Sequence, residues 1–171
     1  GSSRPIVPRG RLMVAVALDY DHELGCARRY GVGAEVQTFG FPRYLEKDTT
    51  KLLQKMIGQV DRLKGPIGCH GPFIDTIHHS PDPDIREVCR IRYLRAFDVA
   101  EALGARYVLF HSQFNPIIRV PIYKKIYHEN SLRFWPEMIE EAEKRKIPIY
   151  IENMFDDSPV PARMVADTFD S

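Results

Sequence analysis

Three side chains of types that bind divalent metals close short apolar runs in this sequence. His70 follows Ile67-Gly68-Cys69, His111 follows Tyr107–Phe110, and Glu152 follows Ile147–Ile151. Neutral imidazole and carboxylate are the nitrogen and oxygen donors of zinc, manganese and cobalt sites. A lone histidine at a strand end is more often a hydrogen-bonded structural residue. Glu152 resists that reading, because a carboxylate directly after an apolar run must be paired, coordinated or facing a cavity. Donors at three consecutive run ends therefore point to one site, with His70, His111 and Glu152 as candidate metal ligands. The chemistry they suit is Lewis-acid assistance to proton transfer or hydrolysis.

The elements that must position these donors follow from periodicity. Five β-rich runs, Leu12–Asp19, Ala34–Phe39, Ile67–Phe73, Tyr107–His111 and Ile147–Glu152, alternate with helical patterns. Asp48 is placed to cap a helix carrying Leu52, Leu53, Met56, Ile57, Val60 and Leu63, which Gly65-Pro66 stops. Asp82-Pro83 opens a second, with Ile85, Cys89, Tyr93, Ala96, Phe97, Ala100 and Leu103 on one stripe before Gly104. A third is expected over about Leu132–Lys146 and a last over Pro161–Phe169, while Tyr20–Val32 holds some two turns. The stretch Gln113–Asn130, with Arg119, Lys124 and Lys125, reads as a long loop, either a lid or a solvated basic segment.

Strands alternating with helices make a parallel α/β sheet, whose functional groups lie at the carboxyl ends of the strands. After the first strand the chain reads Asp19-Tyr20-Asp21-His22-Glu23, without the glycine-rich turn of a dinucleotide-binding sheet. The expectation is a parallel (β/α) TIM-barrel type fold. Asp19 and Glu35 either serve the site or terminate strands. His78 and His79 are expected as solvated loop residues near the cavity mouth, His22 and His128 as surface residues, and Cys69 as a packed core thiol.

The chain has 171 residues, 44% of them hydrophobic, enough for one domain. A barrel of eight units needs about 250 residues. The spacing of the runs gives about five of the eight, so the fold is expected to be an incomplete barrel over residues 12–171, with a tag remnant and tail at 1–11. Open sheet edges predict self-association. A net charge of +1 makes nucleic acid an unlikely partner. No apolar run reaches the roughly 18 residues of a membrane span, and no signal-peptide stretch opens the chain. Three cysteines without a CxxC pair, Cys26, Cys69 and Cys89, fit a reducing cytoplasm.

The segments around the donors also carry a resemblance. Cys69-His70-Gly71-Pro72-Phe73 with Asp75 and Ser80-Pro81-Asp82-Pro83 is similar to the His-Ala/Gly-Pro-aromatic signature of the xylose isomerase-like TIM barrels. Gly104-Ala105-Arg106-Tyr107-Val108-Leu109-Phe110-His111, Ile149-Tyr150-Ile151-Glu152-Asn153-Met154 and Gly33-Ala34-Glu35-Val36-Gln37 resemble further blocks of that superfamily, over about residues 12–158. It includes the sugar phosphate isomerases/epimerases and the AP endonuclease family 2-like enzymes.

In the endonuclease-like branch the resemblance implies that His70, His111 and Glu152 contribute to a metal cluster. In the isomerase/epimerase branch it implies that Glu152 is both ligand and part of the acid/base pair, so Glu152 is the candidate catalytic residue. Phe39, Phe73 and Asn153 are the candidate substrate-binding residues. Further family ligands, on strands six to eight, would lie beyond Ser171.

The expected function is metal-dependent proton transfer on a small sugar or sugar-like substrate in the full-length form, with Mn, Zn, Co or Mg as the metal. Two alternatives stand beside it, a metal-dependent phosphodiesterase and a non-catalytic truncated barrel that self-associates.

Overall fold

The computed structural model describes residues 7–46 and 49–169. The strands are β1 (Met13–Val16), β2 (Gly33–Val36), β3 (Ile67–His70), β4 (Val108–His111) and β5 (Ile149–Glu152). The helices are α1 (Tyr20–Tyr30), α2 (Pro42–Glu46), α3 (Thr49–Val60), α4 (Pro83–Ala102), α5 (Pro121–Arg145) and α6 (Val160–Thr168). Single 3-10 turns lie at Arg9–Arg11 and Thr38–Gly40. Residues 1–6 of the expected tail and Asp48, expected as a cap, lie outside the described residues.

All strand pairs are parallel and the order in the sheet is β1-β2-β3-β4-β5. The order never reverses. A doubly wound sheet reverses at its switch point, whereas sequential order is how a (β/α) barrel winds. The expected fold class therefore holds, with five strands and their helices. Among the described residues no helix is long and apolar enough to cross a membrane.

Alternation along each strand sends two sets of side chains to opposite faces. Val16, Ala34, Val36, Cys69, Val108 and Phe110 are buried in the core shared with the helices. Tyr93 of α4 stacks on Phe110 at 4.2 Å between ring centroids, and Trp135 of α5 meets Phe110 at 6.0 Å. Met13, Glu35, Gly68, His70, Leu109, His111, Tyr150 and Glu152 alternate with these, on the concave face. There the Tyr107 hydroxyl donates to Glu35 Oε2 at 2.6 Å, and the Tyr107 ring stacks on Tyr150 at 4.9 Å. A Cβ at Gly68 would overlap the Tyr107 ring, so only glycine lets that ring lie across β3.

Helix α4 starts as its sequence dictates. Asp82 accepts from the Asp84 amide at 2.9 Å, and Pro83 takes the first turn. Its buried stripe is Cys89, Tyr93, Ala96, Phe97 and Ala100, while Ile85 is exposed instead of joining it. Helix α1 runs to three turns, not two, because Leu24 and Ala27 anchor it and Gly31 (φ 65°) ends it in the left-handed region.

Helix α5 departs most from expectation. It starts at Pro121, so much of the expected Gln113–Asn130 loop is helical. Tyr127, Ser131, Trp135 and Met138 recur at helical spacing on its buried side, with Pro136 inside the helix. Pro136 removes one amide donor, and the buried neighbours on both sides hold the helix through that gap.

Gly71 shows how tightly β3 meets this core, because a Cβ there would run into the Phe110 ring. Gly71→Ala is expected to lower the free energy of unfolding by about 2 kcal/mol, the usual scale of overpacking, read as a lower urea midpoint with an unchanged slope.

Candidate metal centre at the strand ends

The register of the central strands assembles the site. His111 on β4 is the direct partner of Glu152 on β5, and His70 on β3 is level with Leu109, two residues before His111 on the same face. The ladder continues past both strand ends, with the Ser112 amide donating to the Glu152 carbonyl at 2.9 Å and the Gly71 amide to the Leu109 carbonyl at 2.7 Å.

The three sequence-predicted donors come together. His70 Nε2 and His111 Nε2 are 3.1 Å apart, and Glu152 Oε2 is 3.3 Å from His111 Nε2 and 3.9 Å from His70 Nε2. Metal–nitrogen and metal–oxygen bonds of about 2.0–2.2 Å around a tetrahedral ion place neighbouring donors about 3.3 Å apart. The observed separations lie around that value.

The donor chemistry fits as well. His70 Nδ1 lies 2.8 Å from the Gly71 carbonyl oxygen, which can only accept, so Nδ1 carries the proton. That tautomer presents a bare Nε2 to the site, the orientation that an outer hydrogen bond gives a ligating histidine. Both imidazoles are buried, while the Glu152 side chain is 46% exposed. Burial, and then the neighbouring His70, push the His111 imidazole below its ordinary pKa, against the opposing pull of Glu152. His111 is thus biased to the neutral form that coordination needs.

The His-His-Glu set is the possible metal-holding group of three or more His, Cys, Asp or Glu side chains among the described residues. Phe73 packs its ring against both imidazoles, at 5.0 Å from His70 and 5.6 Å from His111, and Phe41 backs it at 5.2 Å. A Cβ at Gly40 would strike the Phe73 ring, so that glycine makes the seat for it.

The other candidates scatter. The 3-10 turn Thr38–Gly40, fixed by Thr38 Oγ1 donating to the Ala17 carbonyl at 2.6 Å, carries Phe39 into the core, where it is 1% exposed. Asn153 is exposed and lines a cleft of about 890 Å³ between α5, β5 and α6, away from the imidazoles. Asp19 is exposed, and Glu35 is engaged by Tyr107 and by Gln37 Nε2 at 3.1 Å. His22 and His128 are surface residues. Cys69 is fully buried, and burial pushes its thiol up to about 12, which suits a core residue and not a nucleophile.

His78 and His79 correct the expectation of solvated loop residues, being 0% and 4% exposed. His78 Nε2 lies 3.2 Å from Ser131 Oγ, and His79 Nε2 lies 3.0 Å from the Gln113 carbonyl. Asn130 Nδ2 donates to the carbonyls of His79 and Ser80. The pair staples the segment after β3 to α5. Ser112 and Asp156, joined by a 2.7 Å hydrogen bond beside the site, carried no signal in the sequence.

No family model and no curated protein matches the sequence. Solved structures do. The TTHB071 protein from Thermus thermophilus, from a crystal soaked with ZnCl2, superposes with a TM-score of 0.71 at 26% identity, over 92% of this chain and 61% of its own. A D-tagatose 3-epimerase-like protein gives 0.73 at 21% identity, over 93% of this chain and 61% of its own. D-psicose 3-epimerase from Clostridium cellulolyticum, solved with D-tagatose, gives 0.66 at 16% identity, over 89% and 56%. The fold is thus shared with these solved structures, a parallel α/β fold of the TIM-barrel type, as the resemblance in the sequence implied. The chain spans between 56% and 61% of the length of these structures.

The stapled histidines make stability depend on pH. Burial, and secondarily His79, hold His78 well below the ordinary imidazole value of about 6.5, which it regains on unfolding. The unfolded chain therefore binds the extra proton first. Stability from this group is full above about pH 6.5 and falls as the pH drops below it. Urea midpoints are expected to fall between pH 7.5 and 5, and to fall less in His78→Gln.

Proposed function

We propose that the chain provides the metal-binding strands of a sugar phosphate isomerase/epimerase-like barrel, acting by metal-dependent proton transfer on a small sugar or sugar-like substrate. The observation that carries this reading is the convergence of His70, His111 and Glu152 on one point at the carboxyl ends of consecutive parallel strands. The fold shared with two structures named for epimerases supports the substrate class.

A divalent ion, when bound, supplies Lewis acidity toward a carbonyl or hydroxyl oxygen of the substrate. Mn, Zn, Co and Mg are the candidates, and the two nitrogen donors favour the first three over Mg. His70 and His111 serve as neutral nitrogen donors, each ring held by its neighbours. Glu152, the half-exposed member, takes and returns the substrate proton. Phe73 keeps water from one side of the imidazoles and offers an apolar wall. Three free thiols, Cys26, Cys69 and Cys89, support a reducing compartment such as the cytoplasm.

One observation favours a second reading, a metal-dependent phosphodiesterase of the AP endonuclease type. Both histidines converge with the glutamate, as that branch of the resemblance requires, whereas the other branch needs Glu152 alone. The near-neutral charge weighs against a nucleic-acid substrate.

Calorimetric titration with Mn²⁺, Zn²⁺, Co²⁺ and Mg²⁺ tests the centre. One site per chain is expected, lost in His70→Ala, His111→Ala and Glu152→Gln. Wild-type affinity in all three variants would reject the centre, and two or three zinc ions per chain would favour the phosphodiesterase. Absence of turnover on ketose and aldose panels, with no metal bound, would leave the non-catalytic barrel.

The edges of the described sheet are β1 and β5, and Tyr150, on β5, is 53% exposed on the concave face. Free edges and exposed apolar area favour pairing with another copy. Light scattering is expected to give a mass above 19.7 kDa. A monodisperse monomer that binds no hydrophobic dye would rule self-association out.

A further inference from the structure

The residue that follows His111 has every polar atom engaged. The Ser112 amide donates to the Glu152 carbonyl at 2.9 Å, and its carbonyl accepts from the Tyr127 hydroxyl at 3.1 Å. Its Oγ donates to Asp156 Oδ2 at 2.7 Å and accepts from the Phe114 amide at 3.3 Å. The segment from Glu152 to Asp156 is thus a short loop pinned at both ends to one residue. Between the pins, Met154 and Phe155 are 55% and 70% exposed, so little side-chain packing holds the loop. Glu152 itself is the last residue of a strand that is an edge of the described sheet.

Asp156 is held at a cost. Its Oδ1 is buried without a hydrogen-bond partner, and burial raises its carboxyl above the ordinary value against the opposing Ser112 bond. The bond to Ser112 is thus made by a carboxylate whose other oxygen goes unpaired. Side chains alternate across β4, so Ser112 points away from the metal donors, and Asp156 meets it on the helix side of the strand, near Tyr127.

We propose that Asp156 is a positioning residue, which acts through Ser112 to hold the Glu152 carboxylate beside the two imidazoles. The inference rests on the reading of His70, His111 and Glu152 as a metal centre. It adds to that centre a second carboxylate, one that touches no donor atom. Without the Ser112–Asp156 bond the loop after β5 is released at one end. The Glu152 carbonyl then keeps its bond to the Ser112 amide, but its carboxylate samples positions too far from His111 to share an ion.

The test is calorimetric titration of the full chain with Zn²⁺ and with Mn²⁺, alongside thermal melts without metal. Asp156→Ala is expected to weaken metal binding about 10- to 100-fold, the usual effect of losing a partner outside the ligands. The melting temperature without metal should change little. Asp156→Asn keeps an acceptor for Ser112 Oγ and is expected to recover most of the affinity. Ser112→Ala removes the same bond from the other side and should match Asp156→Ala, so it carries the test if the latter does not fold. A drop in melting temperature with unchanged metal affinity in both alanine variants would overturn the proposal and leave Asp156 a purely structural residue. Glu152→Gln separates the two readings. If it abolishes binding while Asp156→Ala and Ser112→Ala do not, only the positioning role fails; if it, His70→Ala and His111→Ala all leave binding intact, the metal centre itself fails.

Discussion

The parallel pairing of β4 with β5, in the register that sets His111 beside Glu152, is the constraint on which the site depends. Side chains alternate along a strand, so a slip of one residue would send either donor to the helix side of the sheet. That register is held from the other face. Val108 and Phe110 are fully buried, Phe110 against Tyr93, Phe97 and Trp135, and a slipped β4 would have to push His111 or Leu109 into that packing. The apolar core thereby decides where the polar donors stand, although it touches none of their reacting atoms.

The donors differ in their surroundings in a way that suits division of labour. The two imidazoles are buried, and His70 has its tautomer fixed by the Gly71 carbonyl. The carboxylate is half exposed. Two buried nitrogen donors on the inner side and an accessible carboxylate on the outer side suit the proposed division between holding an ion and moving a proton. Phe73 contributes by packing its ring against both imidazoles.

How much of this was legible in the sequence depends on the range of the interaction concerned. His70, His111 and Glu152 stood out because each ends an apolar run, which is local information, and the sequential parallel order followed from the alternation of strand and helix patterns. Their convergence was expected from donors at three consecutive strand ends, but the register that sets His111 level with Glu152 was not legible, since it rests on pairing between strands far apart in the chain. Phe39 looked like a strand-end aromatic, but its position depends on Thr38 reaching back to the carbonyls of β1 and its exit. His78 and His79 looked solvated because the element that covers them, the first half of α5, read as loop. The helix was expected from about Leu132, which left out some three turns that Tyr127 and Ser131 help anchor. The Ser112–Asp156 bond left no trace, because neither residue type at those positions is unusual.

One contact on the concave face reaches further than its size suggests. The Tyr107 hydroxyl, at the entry to β4, meets Glu35 on β2 by passing over Gly68 of β3. It joins two strands that are not neighbours, as a tie-rod spans an arch between points on either side of the crown. A tie across three strands holds the outer two at a fixed separation over the middle one. The missing side chain at position 68 is therefore what leaves room for the tie, on the same face of the sheet as the imidazoles and the carboxylate.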